Sequence, residues 1–327
     1  MRNMTYMDAI VEAQRDEMAR DDKVFLMGLD VSWGIIGSTI NANGALVDQF
    51  GPERVRDAPI SENSYLGAGA GAAMVGMRPI IEIEIAPFIY VAMDQRTSII
   101  SKSTYLYGGQ ASLPITIRMP MMYAVGNAAQ HSDRPITTLA TLPGLKIVAP
   151  STAIDLYGLL KTAIRTDDPV VVFEDFTRAV TRSEVPDDTD FTIPLGVGEV
   201  KREGTDCTVV AISGALTAAE GAAEQLAADG ISVEIVDPRS IIPLDLDMIL
   251  ESVAKTGHLV IVDPCHDFGS IASQISALVA EDGFWSLEAP IKRVVTPHTH
   301  IPYNRGQEMS LYPNADKVAA AVREVLG

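Results

Sequence analysis

Cysteine is nearly absent: Cys207 and Cys265 are the only two in 327 residues. Two thiols so spaced form neither a disulfide framework nor a metal-type motif. Aromatic residues make up only 6%, and 25 Lys and Arg face 43 Asp and Glu, for a formal charge of −18. A field of that sign repels phosphate backbones, which argues against nucleic-acid binding and favours solubility or a basic protein partner. No apolar run reaches the length of a membrane span, and the N-terminus, "MRNMTYMDAI", has no signal-peptide core. The expected compartment is the cytoplasm. Cys265, in "VIVDPCHD", reads as an ordinary thiol near a strand end.

Apolar residues, at 47%, are ample for burial, and the length suits two domains rather than one core. "TYMDAIVEAQRDEMAR" has helical spacing, with Thr5 and Asp8 as a capping pair. Continuously apolar runs, "KVFLMGL", "RPIIEIEI", "LPITIRM", "LKIVAP" and "PVVVFE", read as strands buried on both faces. Helical stretches near 64–76, 88–106 and 152–166 separate them. The pattern stops after Phe176, where "RSEVPDDTDFTIPLG" is charged and has neither period. A second series follows, with strands "CTVVAIS", "SVEIVDP", "HLVIVDP" and "IKRVVTP" and helices at 215–229, 245–256, 270–282 and 315–326. The expected fold class is α/β with two parallel-sheet domains, 1–185 and 201–327, joined by a linker over 186–200.

"DAPISENSYLGAGAGAA" (57–73) sets two readings against each other. Gly67, Gly69 and Ala72 fit G-x-G-x-x-A, a dinucleotide fingerprint, with Glu82 and Glu84 near the ribose-binding position. A fingerprint needs its first glycine in the turn directly after a strand, yet "SENSYL" lies between. The glycines then fall inside a helix, where small residues let a neighbour approach closely. Glu62 is left at a strand-to-helix junction facing the carboxyl end of a parallel sheet, where α/β proteins bind ligands. Its other reading is stabilisation of a helix N-terminus.

"FGPERVRDAPISE", "GAAMVGMRPIIEIEI", "MDQ", "YGGQASLPITIR", "AAQHSD", "LPGLKIVAPST" and "VDPRSIIPLD" resemble the beta subunit of the decarboxylating component of 2-oxo acid dehydrogenase complexes. That is a thiamine-diphosphate family related to transketolase, and the resemblance runs almost end to end. "SWGIIGST", "ILESVAKTGHLVIVD" and "VTPHTHIPYN" resemble acetoin dehydrogenase beta subunits most. The implied fold is a transketolase-type pyrimidine-binding domain followed by a transketolase C-terminal domain.

The resemblance also implies roles. Glu62 matches the family glutamate that hydrogen-bonds N1′ of the cofactor's aminopyrimidine, which prepares removal of the thiazolium C2 proton. Asn63 and Ser64 replace the hydrophobic residue and glycine common after it. Ile60 matches a backbone and apolar contact, and Phe88 the aromatic that packs on the aminopyrimidine ring. His131 matches a histidine near the reacting carbon, suited to proton transfer or to guiding a lipoyl group. Glu84 stands where relatives carry an uncharged residue close to the cofactor. Residues two apart on a strand share a face, so Glu82 and Glu84 are expected to point the same way, either as two solvated acids at a strand end or with Glu84 as a second acid in the cofactor cavity. Of the other histidines, His298 and His300 form a possible metal pair with no third ligand in view.

The usual Gly-Asp-Gly and later Asn that hold diphosphate and magnesium do not occur in this chain. The resemblance therefore implies an alpha subunit that supplies them, in a heterotetramer of two alpha and two beta chains. It also implies a potassium site, mainly of backbone carbonyls, at Ile115, Ala163, Ile164, Thr166 and Asp168, with Thr166 where an acid is common. The expected activity is oxidation of acetoin or a short 2-oxo acid, a small carbonyl substrate, with the acyl unit passed to lipoamide on a dihydrolipoyl acyltransferase core. An acyloin-forming carboligase and a nicotinamide dehydrogenase are the alternatives. A third class is a binding module, in which acidic patches of the second domain dock a basic acyltransferase segment.

Overall fold

A computed structural model of the protein describes residues 1–32 and 46–327. Most of "SWGIIGST" therefore lies outside the described residues. The chain divides into two compact units, Met1–Met122 with Thr138–Leu195, and Tyr123–Thr137 with Gly196–Gly327.

In the first unit β1 (Arg2–Thr5) leads into α1 (Tyr6–Arg20). The Thr5 hydroxyl accepts from the Asp8 N–H while the Asp8 carboxylate accepts from the Thr5 N–H, so the expected capping box is present. There follow β2 (Val24–Leu29), α2 (Leu46–Phe50), β3 (Val55–Ala58), α3 (Glu62–Met74) and β4 (Arg78–Glu82). The expected helix over 88–106 is instead broken into a 3₁₀ segment (Ala86–Ala92), a π-helical turn (Gln95–Ile100) and α4 (Ser103–Leu106). Ser101 and Ser103 donate their hydroxyls back to the carbonyls of Thr97 and Ile99, competing with regular helical bonding. Next come β5 (Thr116–Met121), the short helices α5 (Ala128–His131) and α6 (Ile136–Ala140), β6 (Lys146–Val148), α7 (Ala153–Arg165), β7 (Val170–Asp175) and β8 (Arg182–Val185). Of these, α5 belongs to the second unit.

The sheet of the first unit runs in the order β6-β7-β5-β4-β2-β3, every neighbouring pair parallel. All six residues of β5 and of β7 are buried, the charged Arg118, Glu174 and Asp175 among them, as expected of strands covered on both faces. Ile10, Ala13 and Val24 share a core with Leu156, Leu160 and Ala163 of α7. The chain passes from β2 to β3 on one side and then to β4 on the other. That reversal is a topological switch point, and it lies between the carboxyl ends of β2 and β4.

The glycines of the Gly/Ala run lie inside α3. A Cβ on Gly67 would come within 2.9 Å of Gln95 Oε1, and one on Gly69 within 2.6 Å of Ile81 Cδ1. Close helix packing is what Gly67 and Gly69 serve, and the nucleotide-loop geometry is absent. Gly69→Ala is expected to cost about 1–3 kcal/mol through overpacking. At Gly71 an added methyl would meet nothing within 4 Å, so the same change there should gain roughly 0.4–1 kcal/mol of stability. Urea midpoints of the two variants check the pair; equal shifts would contradict the packing account.

In the second unit the sheet order is β14-β13-β10-β11-β9, from β9 (Glu199–Arg202), β10 (Cys207–Ala211), β11 (Val233–Asp237), β13 (Leu259–His266) and β14 (Lys292–Thr296). It is parallel except for β9, which runs antiparallel to β11. Between β11 and β13 lies β12 (Ser240–Ile242), and the helices are α8 (Leu216–Ala228), α9 (Leu246–Thr256), α10 (Ile271–Asp282), α11 (Arg305–Leu311) and α12 (Ala315–Leu326). The stretch read as a linker is ordered and divided. Ile193 packs where Gly158 has no side chain, and its N–H donates to the Gly158 carbonyl, so residues through Leu195 join the first unit. From Gly196 the chain belongs to the second, and Glu199–Arg202 is already a strand. No helix among the described residues is long and apolar enough to cross a membrane.

Candidate active site

Three strands of the first unit deliver acids to the switch point. Asp30 follows β2 with a φ of 50°, a left-handed conformation uncommon for a residue with a side chain. Glu62 follows β3 as the first residue of α3 and is only 6% exposed. Ser61, the residue before it, makes no side-chain cap bond. Glu84 follows β4 and is half-buried. Burial, then the charges of Asp30 and Glu62, pushes the Glu84 carboxyl above its ordinary value. The three acids therefore share one locale, and it is Glu84 whose proton affinity the other two raise.

Glu82 and Glu84 are not two solvated acids. Glu82 is 1% exposed and paired with the Arg118 guanidinium. Arg118 also forks onto Glu174, Nε to Oε1 at 2.6 Å and Nη2 to Oε2 at 2.8 Å, and Nη1 reaches Gln14 Oε1 at 3.2 Å. One guanidinium thus serves two buried carboxyls. Burial, with the Glu174 charge adding to it and Arg118 opposing it, pushes Glu82 up to about 8. The folded chain then keeps a proton that the unfolded chain releases above its ordinary 4.5, so this group's contribution to stability is lost as pH rises from there to about 8. Glu82→Gln should flatten that fall by a few kcal/mol. Denaturant midpoints at pH 5 and pH 9 check it, and an unchanged pH slope would contradict the assignment.

Tyr65, one turn after Glu62, is 4% exposed. Burial, then the charges of Glu62, Glu82 and Glu84, holds its phenol well above the ordinary value. Phe88 is half-buried in the 3₁₀ segment, and Ile60, two residues past the end of β3, is 80% exposed. The 3₁₀ segment that carries Phe88 packs on α3, and a buried carboxyl on a helix with an apolar segment against it fits the aminopyrimidine half of thiamine diphosphate. His131 ends α5 in the second unit, half-buried.

Two of the expected potassium residues, Ile164 and Thr166, already hold a different cation through their carbonyls. Arg78 Nε donates to the Ile164 carbonyl at 2.8 Å and Nη2 to the Thr166 carbonyl at 2.6 Å. The Ile115 carbonyl accepts from Val170 N–H, and the Asp168 carboxylate pairs with Lys146 Nζ at 2.7 Å. Ala163 is buried in α7. Carbonyl oxygens are the right donor type for such an ion, but the fixed positive charge of Arg78 on two of them works against it, so the set does not fit well.

Among the described residues no group of three or more His, Cys, Asp or Glu is placed to hold a metal. His298 stacks on Phe268 with ring centroids 5.8 Å apart, and with Asp133, His266, Thr299 and His300 it lines a cavity of about 450 Å³. Both cysteines are buried thiols, and burial pushes Cys207 up to about 12. Sequence reasoning missed Asp30, Tyr65 and the Arg118–Glu174 pair. The signal for the last was present: Arg118 and Glu174 sit in apolar runs that read as buried strands, where a charge needs a partner.

Residues 2–178 match the family described as Transketolase, pyrimidine binding domain, and residues 196–318 match Transketolase, C-terminal domain. The chain is 42% identical to the acetoin:2,6-dichlorophenolindophenol oxidoreductase subunit beta of Bacillus subtilis (strain 168), over 100% of this chain and 98% of that one. It is 43% identical to the 2-oxoisovalerate dehydrogenase subunit beta of the same organism, over 99% of each, and 38% identical to its pyruvate dehydrogenase E1 component subunit beta, over 100% and 99%. A solved structure titled "Split gene transketolase, inactive beta4 tetramer" shares the fold, with a TM-score of 0.78 at 22% identity over 99% of this chain and 98% of that one. With two transketolase-type domains in that order and relatives of this kind along its whole length, the chain belongs to the beta subunits of the acetoin and 2-oxo acid dehydrogenases.

Proposed function

We propose that this chain supplies the aminopyrimidine half of a thiamine-diphosphate site in an acetoin or 2-oxo acid dehydrogenase. The observation that carries the reading is the buried Glu62 carboxyl at the switch point, beside Glu84 and Asp30. When bound, the cofactor would supply a carbon nucleophile and an electron sink for carbonyl chemistry. Glu62 shares a proton with the ring nitrogen N1′, Phe88 covers the ring face, and Ile60 adds an apolar contact. Glu84 is a second acid of the same cavity, and its raised proton affinity limits the negative charge held there. His131 moves a proton on the bound substrate or guides the lipoyl group. These roles give Glu62 and His131 the catalytic part, and Ile60, Glu84 and Phe88 a binding part.

The other half, diphosphate and magnesium, falls to a separate alpha subunit in an assembly of two alpha and two beta chains. The acyl unit passes to lipoamide on a dihydrolipoyl acyltransferase. The test is product analysis of the chain reconstituted with its alpha subunit, given acetoin or pyruvate, with and without lipoamide. Acyl-lipoamide formation is the expected result. Acyloin products with no dependence on lipoamide would favour the carboligase, and turnover of nicotinamide by the chain itself would overturn the reading.

A further inference from the structure

The Tyr65 hydroxyl is buried and has no hydrogen-bond partner among the described residues. Leaving a buried donor unsatisfied is unfavourable, and native structures rarely do so without a reason. The charges that act on the phenol are, in order of strength, Glu62, Glu82 and Glu84. Glu82 is already held by Arg118. That leaves Glu62 and Glu84 as the carboxyls still to be served.

Helix geometry selects Glu62. Side chains on a helix lean toward its N-terminus, so a residue at i+3 lies over the turn that begins at i. Tyr65 is at i+3 from Glu62, and Glu62 opens the helix. We infer that Tyr65 is a positioning residue for the proposed cofactor site, whose hydroxyl donates to the Glu62 carboxyl once a ring nitrogen engages the other carboxyl oxygen. The inference rests on the proposed function and extends it.

The chemistry follows from the direction of the bond. A phenol that stays neutral can only donate to a carboxylate, and a donated hydrogen bond favours the charged form. Glu62 then yields its proton to a basic nitrogen more readily. Without the cofactor the hydroxyl is unsatisfied, so the same group costs stability in one state and supports binding in the other.

Tyr65→Phe removes only the oxygen and separates these states. In the cofactor-free complex with the alpha subunit, the thermal midpoint should be unchanged or higher than wild type. Calorimetric affinity for thiamine diphosphate should fall about tenfold or more, the size of a hydrogen bond to a charged group. The acidic limb of the pH profile should move to higher pH, because a carboxylate without its donor is protonated more readily. Wild-type affinity together with a wild-type pH profile would overturn the inference. So would a variant that fails to fold, since only a hydroxyl already bonded within the chain could have that effect. Absence of thiamine diphosphate binding by the wild-type complex would instead remove the functional reading, and this role with it.

Discussion

Glu62→Gln should slow exchange of the thiazolium C2 proton in the assembled enzyme by about 10²–10⁴-fold, the usual contribution of a general acid–base group. Fold and assembly should be kept. Glutamine has nearly the same size and shape, but cannot give up a proton. The two readings of this residue then separate by observable. If Glu62 only complements the N-terminus of α3, its first residue, the substitution costs roughly 0.3–1 kcal/mol of stability and leaves exchange untouched. If it works on the cofactor, stability barely moves and exchange collapses. Hydrogen–deuterium exchange of the loaded complex, read beside its melting curve, decides between them.

The second large effect is on stability. Arg118→Met should destabilise the chain by about 3–5 kcal/mol, because it strands buried carboxyls without their partner. Glu174 is 2% exposed and takes two bonds from the guanidinium, so the loss falls chiefly there. Methionine fills much of the space, which isolates charge from volume. Adding Glu174→Gln and Glu82→Gln to the same chain should recover most of the loss, since neutral amides need no counter-ion. Denaturant unfolding of the single and triple variants checks this. A single variant as stable as wild type would mean that the network contributes nothing.

What the sequence made legible was local. The capping box at Thr5 and Asp8, the apolar strands and the helices of the second unit are patterns of neighbours in the chain, and the structure bears them out. The Gly/Ala run was readable by position, because a phosphate loop needs glycine directly after a strand. Short polar strands were not readable: "VRDA" (Val55–Ala58) and "EVKR" (Glu199–Arg202) have too few apolar residues to show a period. The interruption of 88–106 was not readable either; where the π turn gives way to α4, Ser101 and Ser103 donate to carbonyls four residues back, a choice of partner that no spacing shows. The acid cluster was half legible. Glu62 and Glu84 stand out by type, but their coupling to each other and to Asp30 exists only after three strand ends meet. Tyr65 gives no signal of its own until burial removes its hydrogen-bond partners.

The central claim is that this chain holds half of a shared cofactor site. Isothermal titration of thiamine diphosphate and magnesium into the purified chain, and into the same chain after adding its alpha subunit, tests it most directly. The account predicts weak or no binding by the chain alone and saturable binding by the complex. Tight binding with turnover by the rigorously purified single chain would contradict it.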